Sequence, residues 1–399
     1  MQYDLVFEGG GAKGMVFVGA MQEFEAAGHT YDRLLGTSAG AITASLLAAG
    51  YDSRRMLDAL GEQEDGRPVF AGFLGVPGPF EEAEVRGSVT VDLLNSIDIP
   101  LVPDRWEETA AVGITKGLLK IARYRHFFSF VEHGGWFSAA KFVDWMKAKL
   151  DTAADGGRTG YGEMTLEQFF EATKRELCLI ASDTTAQRML VLNHRTAPAC
   201  PLVWAVRMSM SIPLVWAEVA WRRDWGPYRD QDVAEHLIVD GGMLSNFPIE
   251  LLVSNQPPAT TVMGDKRSEH VLGFLIDETV AVPGAAAADA ADTGFHLAKL
   301  RTARRLMALI DTMSSAHDKE VIEAFDQFVV RLPALGYGTM EFAMSPERRE
   351  ALVAAGRATT KEYFRKAAEP RRRPRALPQS EEEQRAAIAD RVSTRILER

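Results

Sequence analysis

The sequence predicts an α/β fold in which helices cover a mostly parallel sheet. A short apolar run at residues 3–7 is followed by a glycine-rich turn and a helical run at 15–27. A second apolar run at 32–35 ends in another turn and continues into the apolar helical run 41–49. A glycine follows each helical run, as is common at helix C-termini. Two consecutive strand-to-helix units predict parallel strands covered by helices.

The rest of the chain predicts one large domain with additions. We predict a main domain over residues 1–285, with a lid-like insertion at about 66–135 where periodicity weakens. Residues 286–369 are predicted to be mostly helical and to pack on the main domain. An Arg- and Pro-rich linker and a capped amphipathic helix are predicted for 370–399. Further strands are predicted at 177–181, 189–192, 237–239, 271–275 and near 328–332.

Composition and charge narrow the classes of function. The chain has 399 residues, 46% of them hydrophobic, and a net charge of -10, so it is typical of a globular protein and not of a nucleic-acid binder. Cys178 and Cys200 stand in apolar surroundings, which predicts buried thiols and not a disulfide scaffold. Because the sequence shows neither a signal-peptide pattern nor an apolar window of about 18 residues, we expect a cytoplasmic protein.

The sequence Gly36-Thr37-Ser38-Ala39-Gly40 matches the G-x-S-x-G nucleophile elbow. It stands between a predicted strand and a predicted helix, which is the context the motif requires. Glycines two residues before and after the serine allow the tight turn that exposes its hydroxyl. A serine that merely caps the helix is the structural alternative. The helix N-terminus would also favour negative charge next to Ser38.

The glycine-rich loop from Gly9 to Gly14 has two interpretations. It satisfies G-x-G-x-x-G after the first strand, where dinucleotide folds hold pyrophosphate. Such a site also needs an acidic residue at the end of the second strand, but that strand ends in the serine elbow. Alternatively, the N–H groups of consecutive glycines form an oxyanion hole. The neighbouring elbow favours the oxyanion hole.

The base that would activate Ser38 is not an obvious histidine. His236 precedes Asp240 by four residues on one predicted strand, about 13 Å away, so Asp240 cannot orient it as in a triad. His126, His133 and His194 stay open as candidates. Asp240-Gly241-Gly242 at a strand end suggests a carboxylate that faces the site, although an ordinary Asp-Gly turn is the alternative.

The predicted insertion contains two unusual stretches. Residues 69–80 are apolar and rich in turn formers, and 116–130 mix basic with aromatic and aliphatic residues. A basic, aromatic, amphipathic segment can lie in a bilayer interface. The insertion is therefore expected to form an acyl-binding wall or an interfacial docking surface, and a buried core segment is the alternative.

Taken in order along the chain, the glycine loop, the G-T-S-A-G elbow and the D-G-G turn resemble the signature of the patatin-like phospholipases. Blocks at 136–150, 177–188 and 205–213 resemble family segments too, as does Asn246-Phe247-Pro248. The resemblance spans about residues 3–248 and continues more weakly to 364. Three motifs in the same order are far more specific than any one of them.

The resemblance implies a three-layer α/β/α sandwich and a Ser-Asp dyad that works without histidine. Ser38 would be the nucleophile and Asp240 the proton acceptor. The oxyanion hole would be formed by backbone N–H groups of Gly9, Gly10 and Gly11. The remaining motif residues are Lys13, where many members carry arginine, and Gly14, Gly36, Gly40, Gly241 and Gly242. Family members work without calcium, and the sequence shows no metal-ligand pattern, so no metal and no cofactor are expected.

We therefore expect a lipid acyl hydrolase of the phospholipase A or lysophospholipase kind. Its substrate would be a phospholipid or another acyl lipid, with peripheral membrane contact and no nucleic acid. Two other interpretations stay open. One is a dinucleotide-binding oxidoreductase that uses the Gly9 to Gly14 loop. The other is a non-catalytic lipid-binding or scaffold module whose C-terminal helix, with its stripe of Ile388, Val392 and Ile396, is the functional part.

Overall fold

The computed structural model describes residues 1–64, 66–95, 104–152, 157–266, 268–285, 305, 321–368 and 379–397. The strands in these residues are β1 (Gln2–Phe7), β2 (Thr30–Thr37), β3 (Gln63–Glu64), β4 (Arg67–Pro68), β5 (Gly135–Phe137), β6 (Glu176–Asp183), β7 (Arg188–Leu192), β8 (Leu214–Trp216), β9 (Val219–Ala220), β10 (Leu237–Asp240), β11 (Val271–Ala281) and β12 (Val329–Leu335). Eight of them form the central sheet, in the order β12-β11-β1-β2-β6-β10-β9 with β7 also paired to β6.

The central sheet is mostly parallel, as predicted. β12, β11, β1, β2 and β6 pair in parallel with one another in that order. β7, β9 and β10 add antiparallel pairs beyond β6. Outside this sheet, β3 and β4 form a small hairpin, and β5 pairs in parallel with β8.

Helices cover both faces of the sheet and complete a three-layer sandwich. The helices among the described residues are α1 (Val16–Ala26), α2 (Ala39–Ala48), α3 (Ser53–Leu60), α4 (Glu82–Arg86), α5 (Val89–Asn95), α6 (Asp104–Leu118), α7 (Ala122–His133), α8 (Ala140–Leu150), α9 (Leu166–Thr173), α10 (Leu202–Ser209), α11 (Glu250–Val253), α12 (Ala259–Met263), α13 (Pro346–Ala368) and α14 (Gln379–Leu397). Within them, no helix is both long and apolar enough to cross a bilayer.

Side chains on the two faces of the central sheet belong to two separate hydrophobic cores. Leu5 and Phe7 of β1 face the larger core, which they share with α1, α2, α8 and α10. Val6 points to the opposite face and packs in a second core with α11, α12 and α14. Successive residues of a strand point to opposite faces, so a strand covered on both sides reads as one continuous apolar run.

The C-terminal helix α14 packs on this second core. Ala389 and Val392 are buried in it, and Ile388 and Ile396 pack against it. The Ser254 hydroxyl also donates a hydrogen bond to Asp390 Oδ1 at 2.6 Å. The predicted apolar stripe of this helix is thus used by the protein's own fold. Most of the predicted linker before it lies outside the described residues.

The insertion contains several helices, although periodicity weakens in this part of the sequence. Its described residues contain α4 to α7 and enclose a small core of their own, formed by Val85, Val91, Ala111, Val112 and Phe128. α7 has large apolar side chains on its buried face and on its outward face, because Phe128 is buried while Phe127 is exposed. A helix with apolar residues on both faces lacks the one-sided period that sequence analysis detects.

Candidate active site

Ser38 lies at the turn between β2 and α2 and adopts φ 53° and ψ -117°. A non-glycine residue with positive φ is uncommon and costs free energy, which the surrounding structure must offset. The turn is also very tight. A Cβ on Gly36 would lie 2.3 Å from the Gly40 carbonyl oxygen, and a Cβ on Gly40 would lie 2.1 Å from the Phe7 carbonyl oxygen. Only glycine fits at these two positions.

Strand β6 brings Ser38 and Asp240 together. Along one edge of β6, β2 runs parallel as far as the pair Thr37 and Ile180. The antiparallel strand β10 follows on the same edge and ends with Asp240 opposite Ala181. It must be the same edge, because β7 occupies the other edge of β6 from Leu179 to Asp183, which overlaps the end of the β2 stretch and the whole β10 stretch. The ends of β2 and β10 therefore meet head to head, and Ser38 and Asp240 line one cleft.

The carboxyl group of Asp240 is buried and unusually basic. Its side chain is 5% exposed, and Oδ1 accepts a hydrogen bond from the Gly242 N–H at 2.8 Å. Oδ2 is buried and accepts no hydrogen bond from a described residue. Burial raises the pKa of Asp240 from 3.8 to about 7, against the opposing influence of the Ser38 side chain and the Gly242 N–H. The Ser38 hydroxyl is thus near enough to favour the charged carboxylate.

The glycine loop lines the same cleft as Ser38. The Gly9 N–H donates to the Asn246 carbonyl at 3.3 Å, and the Ala12 N–H donates to the Thr339 carbonyl at 2.9 Å. Between them, the N–H groups of Gly10 and Gly11 make no hydrogen bond to any described residue. Two adjacent, unused donors therefore lie at the wall of the cleft.

Lys13 and Gly14 fix this loop in place. The Lys13 side chain is buried, and its ammonium group forms an ion pair with Glu278, whose side chain is 63% exposed. At Gly14, a Cβ would lie 2.7 Å from Cβ of Ala39, the residue that follows Ser38. The loop therefore packs directly on the serine turn.

Four residues of the site were not singled out by their chemistry in the sequence. Asn246 Nδ2 donates to the Gly9 carbonyl at 3.0 Å and to Glu8 Oε1 at 3.2 Å, which ties the glycine loop to the loop after Asp240. Ser209, Glu278 and Thr339 come from α10, β11 and the segment after β12. Asn246 and Ser209 lay in segments noted for family resemblance. No local pattern marks Glu278 or Thr339.

No histidine is among the described residues that line the cleft. His236 Nδ1 contacts Asp183 Oδ2 at 2.8 Å, and His133 Nε2 contacts Glu84 Oε1 at 2.7 Å. His126 Nδ1 contacts the Trp136 carbonyl at 2.7 Å, and His194 stacks on Phe170. Each histidine considered from the sequence is thus engaged away from Ser38.

The cleft has a volume of about 140 Å³. A smaller recess of about 50 Å³ adjoins it at Gly11, which lines both. The recess is mainly apolar, and its walls include Ala39, Ile42, Leu60, Phe70, Phe342 and Met344. The cleft is more polar than its side recess, and such a pair suits an amphiphilic ligand.

Comparison with known proteins gives one related chain and several solved structures. The uncharacterized protein YqhO of Bacillus subtilis is 27% identical over 374 residues, which is 92% of this chain and 99% of YqhO. VipD of Legionella pneumophila matches with 18% identity and a TM-score of 0.43, over 91% of this chain and 67% of VipD. The type III effector protein ExoU of Pseudomonas aeruginosa matches with 18% identity and a TM-score of 0.35. That match covers 92% of this chain and 53% of ExoU, so the chain spans about half of ExoU.

A family model supplies the decisive comparison. The model described as patatin-like phospholipase matches residues 5–253, which is well over half of the chain and includes Ser38, Asp240 and most of the sheet. This confirms the resemblance inferred from the three motifs, and it supports an ester-hydrolysing enzyme that acts on lipids. The chain belongs to the patatin-like phospholipase family.

Proposed function

We propose that this protein is a lipid acyl hydrolase that cleaves fatty acyl esters with Ser38 as nucleophile and Asp240 as its base. The main support is the meeting of a strained serine with a buried carboxyl of raised pKa at the ends of two strands. Strained backbone and perturbed pKa values concentrate at functional sites. Because no described histidine lines the cleft, Asp240 is the base that the geometry favours.

The proposed reaction begins when Asp240 Oδ2 takes the proton of the Ser38 hydroxyl while Oγ attacks the acyl carbonyl carbon. The tetrahedral intermediate collapses, the bond to the alcohol breaks, and Asp240 returns the proton to the departing alcohol oxygen. Water then attacks the acyl-enzyme and gives its proton to Asp240. As the fatty acid leaves, Asp240 passes this proton to Oγ, which restores the Ser38 hydroxyl and the Asp240 carboxylate. A pKa of about 7 suits such a base, because the group both accepts and returns protons near neutral pH.

The oxyanion of the intermediate is assigned to the N–H groups of Gly10 and Gly11. Both donors lack other partners among the described residues, so they are preorganised for a developing negative charge. The Gly9 N–H already donates to the Asn246 carbonyl. We therefore propose that Gly9 shapes the loop and that its two successors stabilise the charge. The match to the patatin-like phospholipase family disfavours the dinucleotide interpretation of this loop.

The apolar recess beside Ser38 supports a fatty acyl substrate. It begins at Gly11 and Ala39, which flank the reacting atoms, and Phe70 of the insertion forms part of its wall. An acyl chain that enters there would leave its ester carbonyl at Ser38 and its alcohol part in the more polar cleft. Phe70 thus gives the insertion a share in the acyl-binding wall.

The deciding experiment measures fatty acid release from mixed phospholipid vesicles in excess chelator. Wild type and Ser38→Ala are assayed in parallel, together with labelling by a fluorophosphonate probe. We expect release and labelling from the wild type and neither from Ser38→Ala. Release that persists in Ser38→Ala would refute Ser38 as nucleophile. If neither release nor labelling occurs with the wild type, the proposed serine chemistry is wrong.

A further inference from the structure

The insertion presents an exposed apolar surface on two neighbouring helices. On α7, Tyr124, Phe127 and Val131 follow one another at helical spacing and are 39%, 53% and 41% exposed. Phe128 and Ser129 of the same helix are buried. The three apolar side chains therefore form a stripe on the outward face, where a surface helix normally carries polar residues.

Helix α5 extends this surface. Glu132 of α7 accepts hydrogen bonds from the backbone N–H groups of Val89 and Thr90, at 3.1 and 2.9 Å, and so joins the start of α5 to the end of α7. Val89 is 61% exposed and lies next to the Val131 end of the stripe. Of the large apolar side chains that are exposed in the described residues, those in the insertion are Val76, Val89, Leu93, Ile114, Ile121, Tyr124, Phe127 and Val131. This concentration exceeds the scattered exposure of an ordinary surface.

The surface is flanked by positive charge. Between residues 109 and 131 the chain contains Lys116, Lys120, Arg123 and Arg125 but no Asp or Glu, although its net charge is -10. Lys120 and Arg123 are exposed and form no ion pair with any described residue, whereas Lys116 contacts Glu82 at 3.0 Å. Beside the stripe, Lys120 also lines a depression of about 270 Å³ together with Lys116 and Arg125.

The surface is linked to the catalytic cleft by a short path. α7 leads into β5, and Gly135 of β5 pairs with Leu214 of β8. The two residues before β8, Ile212 and Pro213, line the cleft with Ser38. Whatever binds to α7 would therefore lie close to the wall of the cleft.

We propose that α7 and α5 form a docking surface for anionic phospholipid bilayers, with Tyr124, Phe127 and Val131 inserted at the interface and Lys120 and Arg123 on the lipid phosphates. Apolar side chains flanked by cations are the composition that interfacial helices use. A second copy of the chain fits less well, since a symmetric contact would bring the cations of both copies together. This inference rests on the proposed function in one respect, namely that the substrate is a lipid of the membrane.

The test measures binding of the full chain to vesicles by flotation, in a Ser38→Ala background so that the vesicles stay intact. One set is phosphatidylcholine alone, and the other contains phosphatidylglycerol as well. Two double variants are compared, Phe127→Ser with Val131→Ser and Lys120→Glu with Arg123→Glu. All four side chains are exposed, and unchanged thermal unfolding of each variant establishes that it is folded.

Matched controls come from elsewhere on the surface. Leu335→Ser removes an apolar side chain that is 49% exposed on β12, and Arg54→Glu reverses an exposed charge on α3. We expect both to bind as the wild type does. We expect tighter binding to the anionic vesicles, weakened on the order of tenfold or more by either double variant. The effect of the charge variant should shrink at high salt.

Three results would overturn the proposal. They are no binding to either vesicle set, binding that the double variants leave unchanged, or self-association that the variants abolish without any vesicle binding. Wild-type hydrolysis of a water-soluble short-chain ester is measured alongside. Ester hydrolysis without vesicle binding would reject the docking surface and keep the proposed function. Vesicle binding without ester hydrolysis would support the docking surface and reject the function.

Discussion

The Ser209 hydroxyl accepts a hydrogen bond from the backbone N–H of Ser38 at 3.0 Å and donates one to the Ile180 carbonyl at 2.6 Å. Ser209 ends α10, and Ile180 belongs to β6. One buried hydroxyl thus connects the serine turn to the helix and to the strand that aligns the site. Because Ser38 has a strained backbone, this hydrogen bond helps to hold a conformation that the residue would not otherwise prefer.

We predict that Ser209→Ala lowers kcat about tenfold and leaves KM nearly unchanged. The variant leaves the buried Ser38 N–H without a partner, which costs about 1 to 3 kcal/mol and lets Ser38, the proposed nucleophile, shift. Ser45→Ala is a matched control, since the Ser45 hydroxyl is buried without a partner and its removal should be neutral or stabilising. Steady-state kinetics on a soluble ester distinguishes the two. Equal kinetics in both variants would exclude a positioning role for Ser209.

Hydrolysis should depend on the ionisation of Asp240. Burial raises the pKa of this carboxyl to about 7, and only the deprotonated form accepts the Ser38 proton. We therefore expect kcat/KM to rise with pH, to reach half of its maximum near pH 7 and to level off above it. The measurement is kcat/KM for a neutral soluble ester between pH 5 and pH 9. A flat profile down to pH 5 would contradict a buried Asp240 base.

Asp240→Asn should abolish hydrolysis and yet stabilise the fold at neutral and higher pH. The pKa of Asp240 is raised from 3.8 to about 7 on folding, so the folded state binds this proton more tightly than the unfolded state. Wild-type stability is therefore lost as pH rises between these values, and the loss is complete above the higher one. Asparagine has no such ionisation.

The free energy of unfolding of Asp240→Asn should thus exceed that of the wild type by an amount that grows between about pH 4 and pH 7, to a few kcal/mol. Chemical denaturation at a series of pH values measures this difference. Ser38→Ala keeps Asp240 and serves as the control, because it should still lose stability as pH rises, over a range that extends higher since the Ser38 hydroxyl no longer lowers the pKa of Asp240. A constant difference across the pH range would show that Asp240 is not the group being titrated.

Filling the apolar recess should change the preferred acyl chain length. Ile42 lies in its wall on α2 and is half-buried. We expect Ile42→Trp to reduce kcat/KM for a decanoate ester on the order of tenfold, with a much smaller effect on a butyrate ester, because the larger side chain excludes the distal methylenes. The measurement is the ratio of kcat/KM for the decanoate ester to kcat/KM for the butyrate ester. A ratio equal to that of the wild type would place the acyl chain elsewhere.

Both thiols should be unreactive in the folded protein. Cys178 and Cys200 are free and buried, and burial raises the pKa of Cys178 to about 11 and that of Cys200 as well. Thiolates are the reactive form, so a short exposure to N-ethylmaleimide at pH 8 should label neither. In guanidinium chloride both should react, as mass spectrometry would record. An adduct on either thiol of the folded protein would mean that the reagent reaches the core in which that thiol is buried.

The local parts of the site could be predicted from the sequence because each depends on a few neighbouring residues. The strand-turn-helix around Ser38 follows from apolar runs and from glycines where a Cβ would meet the backbone of Gly40 or Phe7. Asp240 could be named because the D-G-G turn ends a strand, and its partnership with Ser38 came from the family resemblance. Residues 286–304 and 306–320, predicted to be mostly helical, lie outside the described residues.

What the sequence determined by itself was the set of proposed reactive groups and the turns that present them, since turn geometry is local. Only the tertiary structure decided that β2 and β10 end head to head on one edge of β6, that Ser209 holds the Ser38 amide, and that Asp240 is buried deeply enough to titrate near pH 7. It also decided that Phe127 faces outward while Phe128 is buried. Pairing and burial depend on segments far apart in the chain, so no local pattern encodes them.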